Sequence, residues 1–355
     1  GGVAEALGFL RKCKAFQPSQ LFPLFPEYTR AWRAQVARKR YWSMHPPLTS
    51  LDELVKASSE GGGGEAGEAA LAAGVLASKR AICDFLLESK TRRLASPSGE
   101  GEGLALGDGL DTLVVHLLLD TESVGRLEDL VARPNAVAIA QVEGRLCAVG
   151  RVHALALLNE SRGEFHAAAE LWVSLCEGKR SELPHPDAFL TQACAIAAAG
   201  KAQDTPSSSS SSSSSSLMTE VVVPLVARVV KKAHGAAAGG GGGGGGGESG
   251  TSTALAFLPW LMEKSVSVSL KLLSDISLTV DDVMRLLKET KDVGSRWKYL
   301  DFVVNVQAST DPMHHSEFAL AMIDLWKARR QGEGGGAQEE GRKISQEEAG
   351  EEEEL

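Results

Sequence analysis

Apolar residues along most of this chain recur every three or four positions. Between Gly67 and Lys90, the residues Leu71, Val75, Ile82, Phe85 and Leu86 keep that spacing, which lines them along one face of a helix. From Leu110 to Leu119 the apolar face is nearly continuous, so the helix there is expected deep inside a core. Start signals stand where such patterns begin. Ser50-Leu51-Asp52-Glu53 reads as a capping box, the serine oxygen taking a free amide and the glutamate reaching back. Thr279-Val280-Asp281-Asp282 is a weaker version, opening a helix through Val283, Leu286 and Leu287. Asp311-Pro312 sets a capping acid before a first-turn proline, with a helix expected to about Arg330. The run Val221–Val223 is ambiguous. Its β-branched residues suit a strand, whereas Arg228, Lys231 and Lys232 suit an amphipathic helix.

The most informative unit is Val149–Glu177. One helix, GRVHALALLNES, is expected to end near Arg162-Gly163, and a second, EFHAAAELWVSLCEG, to start at once. Gly163 can take the left-handed conformation that stops a helix. Ala154, Ala167 and Ala168 are small enough to let two antiparallel helices approach, with Leu157, Leu158, Leu171 and Trp172 in the seam. Such a pair cannot bury both faces alone and must stack on neighbours. The expected fold class is therefore all-α: an α-solenoid of stacked antiparallel helix pairs, of the tetratricopeptide or clathrin-repeat kind. An αα-hairpin within a globular bundle is the plainer alternative.

Four low-complexity stretches interrupt the pattern: Glu60–Gly67, Ala95–Gly109, Pro206–Ser216 with ten consecutive serines, and Gly235–Gly250 with nine consecutive glycines. Sequences like these bury too little apolar surface to offset the entropy of ordering them, so disordered Ser/Gly inserts are expected. The division that follows is an N-terminal helical or linker segment (1–59), a helix flanked by inserts (60–109), a helix-pair repeat domain (110–200), a Ser/Gly-rich region (201–250), a second helical repeat segment (251–330) and an acidic tail (331–355).

Composition supports helices: hydrophobic residues make up 43% of the 355 and aromatics 5%, a poor supply for sheets. The net charge of −9 is concentrated at the end, where nine glutamates after Gln331 face only Arg342 and Lys343. The remainder is near neutral, without a basic stripe for phosphates, so nucleic-acid binding is not expected. Cys13, Cys83, Cys147, Cys176 and Cys194 are odd in number, widely spaced and free of any C-x-x-C, which suits buried free thiols in a reducing compartment. No apolar run reaches the roughly 18 residues a spanning helix needs, and no signal peptide is recognised. Asn159-Glu160-Ser161 fits the glycosylation pattern but lies in an expected helix, a chance match. The chain begins at Gly1 and not at methionine, which suggests a fragment or an inaccurately predicted gene product.

Candidate chemistry is sparse. There is no phosphate loop, no dinucleotide site, since the glycine tracts follow no strand, and no G-x-S-x-G elbow. His314-His315 project about 100° apart on a helix and make no metal pair, one packing at the helix start and the other solvated. His116 and Asp120 stand one turn apart, the spacing of a general-base pair, but without a nucleophile a core or capping role is expected. Glu164 and His166 read as the polar first turn of a helix. Trp172, Trp260, Trp297 and Trp326 read as packing residues, an interface anchor being the alternative role. No catalytic, cofactor-binding or metal-binding residue is assigned, and a non-enzymatic chain is expected.

Several blocks carry a resemblance. PSQLFPLFPEYTR…RKRYWSMHPPLTSLDELV (Pro18–Val55), LDTLVVHLLLD…LEDLVARPN (Leu110–Asn135), ALALLNESRGEFHAAAELWVSLCEG (Ala154–Gly178) and TVDDVMRLLKE…WKYLDFVVNVQASTDPMHHSEFALAMIDLW (Thr279–Trp326) occur in one order. In that order they resemble the middle of the TGF-beta receptor-associated, or vacuolar protein sorting, family, over about half of the chain. The family's N-terminal citron-homology domain and C-terminal zinc-binding end have no counterpart here, and the Ser, Gly and Gly/Glu inserts have none in the family. The resemblance implies a scaffold segment of a CORVET or HOPS tethering subunit, peripheral on endosomal or vacuolar membranes. Its implied partners are other tethering subunits, with Rab GTPases and SNAREs. Two further readings stand beside it. A tetratricopeptide-like adaptor would need a groove lined with asparagine and basic residues, of which no regular repeat is seen. An all-α enzyme would need converging titratable groups.

Overall fold

The computed structural model describes residues 2–12, 21–22, 24–28, 50–58, 65–94, 103–204, 214–239, 247–276, 278–289, 293–327 and 330. Among them every regular element is helical. In chain order these are α1 (Gly2–Lys12), a 3₁₀ turn (Pro26–Tyr28), α2 (Leu51–Ser58), α3 (Glu65–Leu94), α4 (Gly103–Asp120), α5 (Val124–Ala132), α6 (Ile139–Ala148) and α7 (Val152–Ser161). There follow α8 (Phe165–Cys176), α9 (Phe189–Asp204), α10 (Ser214–Gly239), α11 (Gly247–Lys264), α12 (Val266–Asp275), α13 (Val280–Glu289) and α14 (Val293–Asp301). A π-helical turn (Phe302–Val306) continues α14, and a helix over 312–327, here α15, follows. The chain divides into two compact units, Gly1–Val222 and Val223–Leu355. The boundary falls inside α10, beside Pro224.

In the first unit consecutive helices pack on one another: α3 on α4, α4 on α5 and α6, α5 and α6 on α7, α7 on α8. This is the stacking of a helical-repeat solenoid. Because α7 has neighbours on several sides, Val152 through Ala156, Leu158 and Asn159 are all buried. The expected pair is present, but its first helix starts at Val152 and not at Gly150. Gly150 instead ends α6 with φ +64°. The small residues buried in this region are Ala154, Ala156, Ala168 and Ala169, while Ala167 is half-exposed, as is Leu157. Helix α4 is buried along Leu110–Leu119, as its unbroken apolar face requires.

Four helices of this unit end alike. After α6, α7 and α8 a glycine (Gly150, Gly163, Gly178) takes positive φ. In each, two backbone bonds close the last turn, such as Gly163 N to Glu160 O at 3.1 Å and Glu164 N to Asn159 O at 3.0 Å. This is the Schellman arrangement, in which the glycine avoids a Cβ clash and orphan carbonyls are satisfied. After α4 the same position is held by Glu122 at φ 53°.

Two of the expected caps form in full. Ser50 N donates to Glu53 Oε2 at 3.1 Å and Glu53 N to Ser50 Oγ at 3.3 Å, a complete capping box. Met313 N donates to Asp311 Oδ1 at 2.8 Å, with Pro312 opening α15. At Thr279 the box is half made. Asp282 N donates to Thr279 Oγ1 at 3.2 Å, but the Asp282 carboxylate takes the threonine hydroxyl at 2.6 Å, because aspartate is too short to reach the backbone amide. Val221–Val223 is helical, inside α10. The expected inserts need correction at their edges: Glu65–Gly67, 103–109, Ser214–Ser216, Gly235–Gly239 and Gly247–Gly250 continue adjoining helices. The rest of those inserts, the tail from Gln331 and Cys13 lie outside the described residues. Of the other thiols Cys83 alone is buried, Cys147, Cys176 and Cys194 being half-buried, and burial pushes the Cys83 thiol up to about 12.

In the second unit α11 packs on α12, α13 and α14. Glu317 of α15 receives Lys288 at 2.7 Å and Arg296 at 2.9 Å, which joins α15 to α13 and α14.

Candidate functional site

Helix α4 is apolar except for a few polar groups, and each of those must be satisfied where it is buried. Asp111, at the start of the buried stretch, takes Lys90 Nζ at 2.8 Å and the Ala136 amide at 2.8 Å. Thr112 Oγ1 takes the Ala138 amide at 2.9 Å. Together they fasten the 133–138 segment ahead of α6. One and two turns further on stand His116 and Asp120.

The structure places His116 and Asp120 in one cluster but does not pair them with each other. Asp120 accepts hydrogen bonds from the Tyr28 hydroxyl, from Arg145 Nη2 and from Lys79 Nζ, the last at 2.6 Å. His116 Nδ1 faces Arg145 Nη1 at 3.0 Å, and its ring stacks on Tyr28 with centroids 4.6 Å apart and 6° between planes. Arg145 also lies 5.0 Å from the Tyr28 ring centre, within cation–π range. Burial, then the Arg145 charge, pushes the imidazole down to about 4. Burial alone would raise Asp120, but hydrogen bonds from Lys79 and Tyr28 and the two cationic charges outweigh it and hold the carboxyl low. Burial and the bond to Asp120 push the Tyr28 hydroxyl up to about 12. A neutral imidazole held by arginine and a carboxylate saturated by three donors do not suit proton transfer. They suit a clasp that fixes the 24–28 segment and α6 to α4. Tyr28 and Arg145 were not singled out in sequence. The signal available was a histidine and an aspartate inside a leucine-rich helix, which require partners from elsewhere.

A second polar group lies on the helix pair α7 and α8. Trp172, fully buried, donates from Nε1 to His153 Nδ1 at 3.0 Å, and the His153 ring stacks on Phe189 with centroids 5.4 Å apart. Glu182 Oε2 accepts the His153 amide and Glu128 Oε2 the Phe189 amide, both at 2.8 Å. This cluster was not read from the sequence.

The remaining tryptophans differ in role. Trp260 and Trp297 each bury an indole nitrogen that lacks a hydrogen-bond partner. Trp326 is 55% exposed with the Arg330 guanidinium 4.1 Å from its ring centre. It shares α15 with other exposed apolar side chains, Met313, Leu320, Met322 and Ile323. His314 is half-buried and His315 exposed, and both bond Ser309, at its hydroxyl and carbonyl respectively. Glu164 sits at the N-cap position of α8 without a side-chain cap bond, and His166 lies 3.3 Å from Glu170. Among the described residues no group of three or more His, Cys, Asp or Glu could hold a metal ion, and no helix is long and apolar enough to cross a membrane.

Comparison with known proteins gives one relationship of note. The chain is 23% identical over 193 residues to "Vacuolar sorting protein 3" of Arabidopsis thaliana, a match that takes in 47% of this chain and 18% of that protein. A coarse relationship to vacuolar sorting proteins is therefore shown, and the chain spans less than a fifth of its relative's length. No protein-family model and no solved structure matches the chain.

Proposed function

We propose that this chain is a non-enzymatic scaffold segment of a subunit that tethers membranes in vacuolar or endosomal protein transport. The likeness to a vacuolar sorting protein carries the reading. Helices stacked on sequential neighbours support it, since such an array offers long surfaces for partners. Exposed apolar side chains on α15, among them Leu320, Ile323 and Trp326, supply the apolar anchors that partner binding requires. The cluster of Tyr28, Lys79, His116, Asp120 and Arg145 supports it too, because its side chains fasten neighbouring segments to α4. In this proposal the segment works within a CORVET- or HOPS-like complex, bound to other tethering subunits, with Rab GTPases and SNAREs reached through the assembly. Membrane association is peripheral and runs through those partners.

The test is affinity purification of the tagged chain from an endosomal lysate, alongside the variant Ile323→Glu/Trp326→Ala. Tethering subunits co-purify with the wild type, and the variant loses them while keeping its helical content. Absence of every tethering subunit from the wild-type eluate removes the functional reading.

A further inference from the structure

Between α8 and α9 the chain runs as a strap without regular secondary structure over residues 179–188. It lies close against its support. Leu183 N donates to Gly150 O at 2.9 Å, and Arg151 Nη1 donates to Leu183 O. A Cβ on Gly125 would come within 3.0 Å of the Asp187 carbonyl oxygen, and one on Gly150 within 3.3 Å of the Leu183 backbone. Two glutamates pin the ends. Glu182, in the strap, caps the start of α7 through His153 N, and Glu128, in α5, takes the first amide of α9, Phe189 N.

Each carboxylate spends one oxygen on its cap. The other, Oε1 in both, is sealed from solvent and accepts no hydrogen bond. Glu128 is only 7% exposed. The charges facing the pair are few. From the N-cap position of α7 comes Arg151, one cation for two carboxylates and itself committed to Leu183 O. His153 accepts the Trp172 N–H at Nδ1, so that nitrogen holds no proton and the ring adds no cation. From α5 comes Asp129, which adds negative charge. Within the strap, His185 Nδ1 accepts the Asp187 amide and Arg180 reaches Cys147 Sγ at 3.3 Å. The docked strap thus carries an excess negative charge on oxygens with nothing to bond. A sealed oxygen admits no ligand larger than a proton.

We propose that Glu128 and Glu182 form a proton-operated latch: uptake of one proton by the pair tightens the strap 179–188 onto α5 and α7, and its loss loosens it. Burial, with the Glu128 charge adding, pushes the Glu182 carboxyl up to about 7 against the opposing pull of its caps and Arg151. Burial raises Glu128 as well, with the Asp129 charge adding. The docked form therefore binds more protons than the open form between an ordinary carboxylate value near 4.5 and about 7. Docking strengthens as pH falls through that window and weakens as pH rises through it. The latch stands whether or not the trafficking role holds.

Amide hydrogen exchange on the intact chain, corrected for the intrinsic pH effect, reads the latch directly. Peptides over 179–188 should open about thirtyfold more readily at about pH 8 than at about pH 5.5, one decade for each of the roughly 1.5 pKa units of elevation that lie above the lower pH. Glu182→Gln, neutral at every pH and still able to cap, should keep the strap closed at both and erase the difference. Glu128→Gln should shrink it. Protection of α4 at both pH values confirms that each variant is folded. Equal wild-type protection at the two pH values overturns the proposal, as does a difference that survives in the double variant.

Discussion

At single positions the backbone sets terms that side chains must meet. Gly163 at φ +81° has nothing within 4 Å of a would-be Cβ, so Gly163→Ala measures the left-handed penalty alone. It should lower stability by about 1 kcal/mol. Glu122 occupies the same position after α4 without the freedom of glycine. Glu122→Gly should therefore raise the unfolding free energy read by urea titration by about 0.5–1 kcal/mol, the opposite sign at an equivalent site. His116 makes a pH prediction. Its folded value, near 4, is below the ordinary 6.5, so the unfolded chain binds more protons between the two. Stability conferred by the neutral imidazole is complete above about pH 6.5 and is lost as pH falls toward 4. Urea titrations of wild type and His116→Phe, which keeps a ring against Tyr28, should differ on the order of 2 kcal/mol across that window. Glu182 works with the reverse sign over an overlapping range, so the difference between the two proteins, and not either curve alone, carries the result.

At the level of elements, α7 shows what stacking demands. It is buried from Val152 to Ala156 because neighbours cover it on several sides, and Ala154 and Ala156 leave room for their approach. Ala168 and Ala169, fully buried on α8, serve the same closeness. Ala168→Leu should cost about 1–3 kcal/mol in thermal or urea unfolding, since a close-packed interface has no room for added methylenes. The helix pair was legible in sequence because Gly163 and the alanine and leucine spacing are local signals. The true start of its first helix was missed for a related reason. Gly150 was taken into the helix it precedes, and the Schellman bonds that make it an end connect residues only a turn apart yet depend on the sign of its φ. Val221–Val223 failed to declare itself because branched residues suit a strand until the rest of α10 is counted.

For the whole chain, far-UV circular dichroism should report a predominantly helical protein whose spectrum and unfolding are unchanged by chelators. A mainly β spectrum, or unfolding on chelation, would contradict the fold. The sequence by itself determined the fold class, the principal helices and their caps at Ser50 and Asp311. All of these rest on interactions within one or two turns, which spacing encodes. Only the tertiary structure decided where the buried charges go. Asp120 meets Tyr28 across 92 positions and Lys79 across 41, and Glu128 reaches the Phe189 amide across 61. Such partners are chosen by how the helices stack, because a buried charge takes whichever donor packing brings within reach, and no local pattern records that choice.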